Sequence, residues 1–247
     1  MQLSERKKLI LNAIVNEYIE TAEPVSSVTI VNKYHAGCSS ATVRNEMADL
    51  EEMGYLDKPH TSAGRMPSGR GYRFYVDSIF PYKTPESAGA KLRRSFLSQL
   101  SETDDVIEKA ADFISNFTNY TVIGMDSYEN TPRRVYTGGV VNIFNHPEYK
   151  NLEKARRLIG FIDSRDSIYK MISETNGEDR MQILIGDENI YEDLKDCSIV
   201  VSHYRDMRGR WGGLGIIGPT RMQYARVVAS LQTMTDMIQK WISEKEK

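Results

Sequence analysis

Cysteine is scarce in this chain. There are two in 247 residues, Cys38 and Cys197, far apart in sequence. Neither has a second Cys or His at metal-ligand spacing, which excludes a disulfide framework and makes both expected free thiols of a reducing compartment. His35 precedes Cys38 closely, but one such pair falls short of the three or four ligands that zinc needs. No metal and no cofactor is expected. Long apolar runs are also missing: nothing approaches the ~20 residues that span a bilayer. The opening MQLSERKKLILNAIV sets cations before an apolar stretch, yet Asn12, Asn16 and Glu17 interrupt it and no small-residue cleavage site follows. A cytoplasmic protein without membrane association is expected. Reactive constellations are absent too, with no Ser elbow, Cys-His pair, phosphate loop or metal cluster in the sequence. The glycines of GRWGGLGIIG match neither a dinucleotide fingerprint nor a P-loop and read as permitting a tight turn. An enzyme is not expected.

What is present is an ordinary globular balance, 40% hydrophobic and 27% charged, with a formal net charge of −2, in a chain long enough for two cores. A first helix is expected from about Ser4 to Thr21, with Leu11, Ile14, Val15 and Tyr18 at three-and-four spacing. A break at Ala22-Glu23-Pro24 leads to a second helix starting near Ser26 or Ser27, with Val28, Val31 and Tyr34 inward. After the Ala36-Gly37 turn, a third helix runs from about Ser40 to Met53. Ser39 or Ser40 caps it, and Gly54 takes the left-handed position that ends it. Val43, Met47 and Leu50 form its inward stripe. Its other side begins with Ser40, Ala41, Thr42, Arg44 and Asn45, small or hydrogen-bonding residues that suit entry into a DNA major groove. There Asn pairs with adenine and Arg with guanine.

The segment from Lys58 to Val76 carries Lys58, Arg65, Arg70 and Arg73 and no Asp or Glu, while Pro59, Gly64, Pro67, Gly69 and Gly71 favour turns over a helix. It reads as a basic flap whose cations, with His60, Thr61 and Ser62, contact phosphates. Across residues 1–76 nine Lys or Arg face nine Asp or Glu, so cationic contact is confined to a strip. Three helices and a Gly-rich basic hairpin, in this order, are those of a winged helix-turn-helix.

The stretch PYKTPESAGA marks a boundary. The reading is a DNA-binding domain at 1–80, a linker at 81–90 and a second domain at 91–247. Residues 91–120 read as helical, with one stripe of Leu92, Phe96, Leu97 and Leu100 and another of Val106, Ile107, Ala110, Phe113, Ile114 and Phe117. Residues 125–132 read as a polar turn. Helices are expected at 151–162 and 166–173, strands at 181–186 and 198–204, a hairpin through RDMRGRWGG into LGIIG, and a last helix opened at Pro219-Thr220 by a capping box of Thr220 and Gln223.

Three stretches resemble the HrcA-type heat-inducible transcription repressors of bacteria. LSERKKLILNAIVNEYIETAEPVSS opens the chain, and SSATVRNEMADLEEMGYLDKPHTSAGRMPSGRGYRFYVD follows. The last third carries RRVYTGGVVNIFNHPEY, DCSIVVSHYR and GIIGPTRMQYARVV. The resemblance implies an α+β chain in which a winged helix-turn-helix precedes a GAF-like domain of antiparallel sheet and flanking helices. It also implies a homodimeric repressor on an inverted-repeat operator of chaperone operons, dependent on the chaperonin. The chain departs from that family between TNYTVIG and VYTGG, where members have a longer middle section associated with dimerisation. Two other functions compete: a small-molecule sensor using the GAF-like half, marked by an apolar pocket with convergent polar groups, and a winged helix that binds protein, marked by weak salt dependence.

Overall fold

The computed structural model describes residues 3–34, 37–59, 64–79, 86–101, 105–127, 134–175, 180–205 and 211–245. The chain divides into two compact units, Met1–Pro81 with Thr220–Gln223, and Tyr82–Pro219 with Tyr224–Lys247.

The first unit is built on α1 (Glu5–Thr21), whose start is fixed by the Ser4 side chain accepting the Lys7 amide. A helix leaves its first amides without internal partners, and a hydroxyl acceptor offsets one of them. Ile10, Leu11, Ile14 and Val15 are fully buried on one stripe. Next comes α2 (Ser27–Tyr34), which buries Ser27 and Ile30. The expectation of an inward Val28 is corrected, since that residue is 52% exposed. The reason lies in the contact that the next helix offers: Ser27 Oγ meets Ser40 Oγ at 2.8 Å, and this fixes a Ser27-Ile30-Tyr34 stripe inward.

The third helix, α3 (Ser40–Glu52), starts as expected. Ser39, in extended backbone, accepts the Thr42 amide, and Val43, Met47 and Leu50 are buried. Gly54 closes the turn after it at φ +76°, a conformation that costs a Cβ-bearing residue strain. Two short strands follow, β1 (Leu56–Asp57) and β2 (Met66–Pro67), paired antiparallel. Val25 adds a rung on the other side, its amide donating to the Arg65 carbonyl at 2.8 Å and its carbonyl accepting the Arg65 amide at 2.9 Å.

The basic segment is not a flap up to Val76, because Gly69–Ile79 forms a helix, α4. Glycine content misled here. The Ser68 hydroxyl accepts the Gly71 amide at 3.1 Å in the manner of an N-cap, and Tyr72 and Val76, one turn apart, are buried, so capping and an apolar stripe outweigh propensity. Gly71 serves approach: a Cβ there would stand 2.2 Å from the Tyr55 carbonyl oxygen.

The second unit begins with α5 (Glu86–Leu97) and α6 (Val106–Thr118). Leu92 and Phe96 are buried, whereas Leu97 is 55% and Phe117 41% exposed, so both expected stripes are narrower than read. Then come β3 (Thr121–Ser127), β4 (Arg134–Gly138), α7 (Leu152–Asp163), α8 (Arg165–Glu174), β5 (Met181–Ile185), β6 (Cys197–Arg205), β7 (Trp211–Pro219) and α9 (Tyr224–Lys245). The five strands form one sheet in the order β4-β3-β7-β6-β5 with every pairing antiparallel. Residues Met125 to Ser127, expected in a turn, are strand: they pair with Val135 and Arg134 on one side and with Gly213 to Trp211 on the other. Ladder pairing uses the backbone and is indifferent to the polarity of Asp126 and Ser127. The final helix opens at Tyr224, later than expected, because Pro219 is still strand, paired with Cys197.

The sheet is covered on both faces. Along β6, Ile199 and Val201 join Ile123, Leu158, Phe161 and Met171 in a core beneath α7 and α8. The alternate residues turn the other way, where Ser198 Oγ meets Tyr224 Oη at 2.7 Å and Ser202 Oγ meets Thr235 Oγ1 at 2.9 Å under α9. Period-two alternation with both faces buried explains the near-continuous apolar run SIVV. Both cysteines are free thiols, and burial pushes the Cys197 thiol up to about 11, with the hydrogen bond from Tyr149 opposing.

Candidate nucleic-acid interface

The buried stripe of α3 determines what its other side offers. At about 100° per residue, Val43, Met47 and Leu50 leave Ala41, Arg44, Asn45 and Ala48 on the outer arc, and all four are exposed. The side chains of Arg44 and Asn45 make no hydrogen bond or ion pair among the described residues, so their donors and acceptors are open to solvent. Between them and the helix start, Thr42 is half-buried with its hydroxyl 3.0 Å from Ser39 Oγ. Ser40 is half-buried too, its hydroxyl turned to Ser27. The structure thus brings Ala41, Thr42, Arg44 and Asn45 together on one open tip and ties Ser40 into the α2–α3 junction.

The basic residues after the helix divide differently from the sequence reading. Lys58, at the start of the β1–β2 connection, is exposed and without an ion pair among the described residues. His60, Thr61 and Ser62 lie outside the described residues. Arg65, expected on phosphate, has a side chain only 14% exposed and pairs with Glu51 Oε2 at 2.7 Å. Arg70, also expected on phosphate, donates from Nη1 to the Met53 carbonyl at 2.9 Å and lies 4.5 Å from the centroid of the Tyr55 ring. It satisfies a carbonyl that the C-terminus of α3 leaves open. Arg73, on α4, is 3.3 Å from Asp77 one turn on. Arg65 and Arg70 therefore hold the far end of α3 and sit away from its N-terminal tip. An arginine in sequence states a charge, not its direction.

Two features were missed. Ala48 completes the open stripe, and its three- and four-residue spacing from Asn45 and Arg44 was the available signal. Lys7, on α1, donates from Nζ to Glu46 Oε2 at 2.6 Å and Asp49 Oδ2 at 2.8 Å. These bonds, Asp49 first and Glu46 second, hold its ammonium above the ordinary lysine range. No local pattern announces a partnership across so many residues.

Among the described residues no group of His, Cys, Asp and Glu is placed to hold a metal ion, and no helix is long and apolar enough to cross a membrane. Among the described residues, a small, mainly helical unit with an open polar helix tip accompanies an α+β unit. Comparison with known proteins makes this specific. The model of the HrcA protein C-terminal domain matches residues 124–228. A relative from Desulforudis audaxviator, named heat-inducible transcription repressor HrcA, is 32% identical, the alignment covering 95% of this chain and 96% of that one. The protein of the same name from Pelotomaculum thermopropionicum is 30% identical over 95% of each. A crystal structure titled as that of a hypothetical protein superposes with a TM-score of 0.76, at 18% identity, over 98% of this chain and 99% of its own, a likeness of fold. The chain belongs to the HrcA family of heat-inducible transcription repressors, a family of regulators and not of enzymes. Either alignment runs over 332 positions against a chain of 247 residues, so at least a quarter of those positions have no counterpart here.

Proposed function

We propose that this chain represses transcription by binding an inverted-repeat operator as a pair of chains, each presenting a winged helix-turn-helix in which α3 enters the major groove. The observation that carries the reading is the open tip of α3, where Arg44 and Asn45 stand unpaired between small residues that let the helix backbone approach base edges. Arg44 reads guanine and Asn45 adenine, with Ala41, Thr42 and Ala48 lining the contact. Lys58 and the connection it begins, which includes His60, Thr61 and Ser62, meet phosphate as the wing. Arg65 supports the head from within, Arg70 holds the end of α3 from the surface and Arg73 pairs along α4, so none of the three is assigned to the phosphate contacts. The second unit is read as GAF-like. Two heads related by a two-fold axis match a palindromic site.

The missing positions are assigned to the β3–β4 connection, since the resemblance implies a longer section in family members between the stretches like TNYTVIG and VYTGG. A hairpin tip tolerates length change because the ladder on either side keeps its register. Release on heating, carried by the relatives' names, and dependence on a chaperonin, implied by the resemblance, belong to the same proposal.

The test is selection of duplexes from a random pool by the full chain, followed by shift assays on the selected site, its single half and a scrambled duplex over a range of salt. Selection of an inverted repeat, bound more tightly than its half and with affinity falling steeply as salt rises, is expected. Failure to enrich any duplex, or salt-independent retention of all, overturns the reading.

A further inference from the structure

The helix offered to DNA carries one cation, Arg44, against four carboxylates, Glu46, Asp49, Glu51 and Glu52. Taken alone it repels a polyanion. At about 100° per residue the carboxylates are not scattered: Glu46 and Asp49 flank the open stripe on one side, Glu51 flanks it on the other, and Glu52 lies at its distal end. Each flank meets a cation from elsewhere in the unit. On the α1 side Lys7 Nζ bridges Glu46 Oε2 at 2.6 Å and Asp49 Oδ2 at 2.8 Å, with Arg6 Nη1 3.6 Å from Glu46 Oε1. On the hairpin side Arg65 Nη2 is 2.7 Å from Glu51 Oε2. The side chains of Lys7 and Arg65 are each only 14% exposed, so these cations are committed to the carboxylates.

We infer that Lys7 and Arg65 are positioning residues for DNA binding: from opposite sides of α3 they neutralise its flanking carboxylates, so that Arg44 and Lys58 act on the duplex against less opposing charge. The inference rests on the reading of α3 as the DNA-contacting helix. Its physical basis is range. Carboxylates beside a helix seated in a groove lie within about one Debye length of phosphates at physiological salt, where an uncompensated charge is still felt. A cation that neutralises them in place removes that repulsion without touching DNA. Arg65 is placed for the task by its backbone pairing with Val25, and Lys7 by the first turn of α1.

The experiment uses the full chain and a duplex selected by the wild type from a random pool. Lys7→Met is expected to weaken binding on the order of ten-fold at low salt, the deficit shrinking as salt rises because screening replaces the missing cation. Lys7→Arg, which keeps the charge, retains affinity. The decisive arm is Lys7→Met with Glu46→Gln and Asp49→Asn, expected to recover affinity because the repulsion is gone along with its mask. Arg65→Met and Arg65→Met with Glu51→Gln repeat the logic on the other flank. Thermal melting of every variant reports on folding, and the variants without the carboxylates keep the test valid if a single cation loss unfolds the head. Unchanged binding by Lys7→Met, or a deficit that removal of the carboxylates leaves in place, overturns the inference. Absence of any duplex binding by the wild type overturns instead the DNA reading beneath it.

Discussion

The two units join their elements with different proportions of charge and apolar burial. In the first, strands of two residues and short helices bury small stripes, and the junctions between helices carry charge: Lys7 with Glu46 and Asp49, Lys33 with Glu17 and Glu20, Arg65 with Glu51. In the second, a five-stranded sheet buries apolar side chains on one face and apolar side chains with paired hydroxyls on the other. A small unit that must also present a polar surface has little apolar area to spend, so it positions its helices with ion pairs, which fix geometry while adding little net stability. The larger unit rests chiefly on burial of apolar area, with ion pairs such as Lys154–Asp196 and Arg180–Asp236 at the margins of its elements. On the proposed reading, function and stability are divided between the units, so variation in one should not imitate variation in the other.

The largest test of that separation is Leu158→Ala. Leu158 is 1% exposed in the core beneath α7 and α8, and truncation there is expected to cost about 2–5 kcal/mol. Calorimetry should show the loss in the transition of the second unit and little change in that of the first. A matched loss in both transitions would join what the comparison keeps apart.

Arg44→Ala comes next, in the other unit and with the opposite signature. It is expected to leave melting unchanged and to cost about 1–3 kcal/mol of affinity for the selected duplex, with preference relaxed at one base position. Equal weakening on selected and scrambled duplexes would move Arg44 from bases to phosphates. A smaller effect is expected from Ser39→Ala, which removes the acceptor for the Thr42 amide and should lower the stability of the first unit by about 1 kcal/mol. Denaturant unfolding of the head measures it.

The mildest prediction concerns pH. His203 on β6 is 6% exposed, and burial lowers its pKa from 6.5, opposed by backbone hydrogen bonds at Ile172 and Arg180. Below the ordinary histidine value the unfolded chain takes up a proton that the folded chain refuses. The stability due to a neutral His203 is therefore full above about 6.5 and declines as pH falls through the folded pKa. Thermal melts of the second unit through that range should show the decline in the wild type and a flatter profile in His203→Gln. Equal slopes would assign the pH response to other groups.

Much of the head was legible in the chain. Ser4, Ser39 and Gly54 announced helix limits because caps act within a few residues, and Val43, Met47 and Leu50 announced a buried stripe because periodicity is local. The tip of α3 followed as the remainder. The reading failed where a local preference met a tertiary partner. Gly69 and Gly71 suggested turns, yet the Ser68 cap and the packing of Tyr72 and Val76 made α4, and Gly71 was there to let it approach Tyr55. In the second unit the polar end of β3 was hidden because its pairing came from strands on both sides, the next strand β4 and the distant β7.

By itself the sequence determined where the helices of the head begin and end, which face of α3 is inward, and, through its likeness to a family, what kind of protein this is. Only tertiary structure decided which charges are free. Arg44 and Lys58 remain open, while Arg65 is withdrawn against Glu51 and Arg70 is held at the surface by the Met53 carbonyl and the Tyr55 ring, because a charge is engaged by whatever the fold brings within a few ångströms, and the partners of Lys7 stand 39 and 42 residues away in the chain.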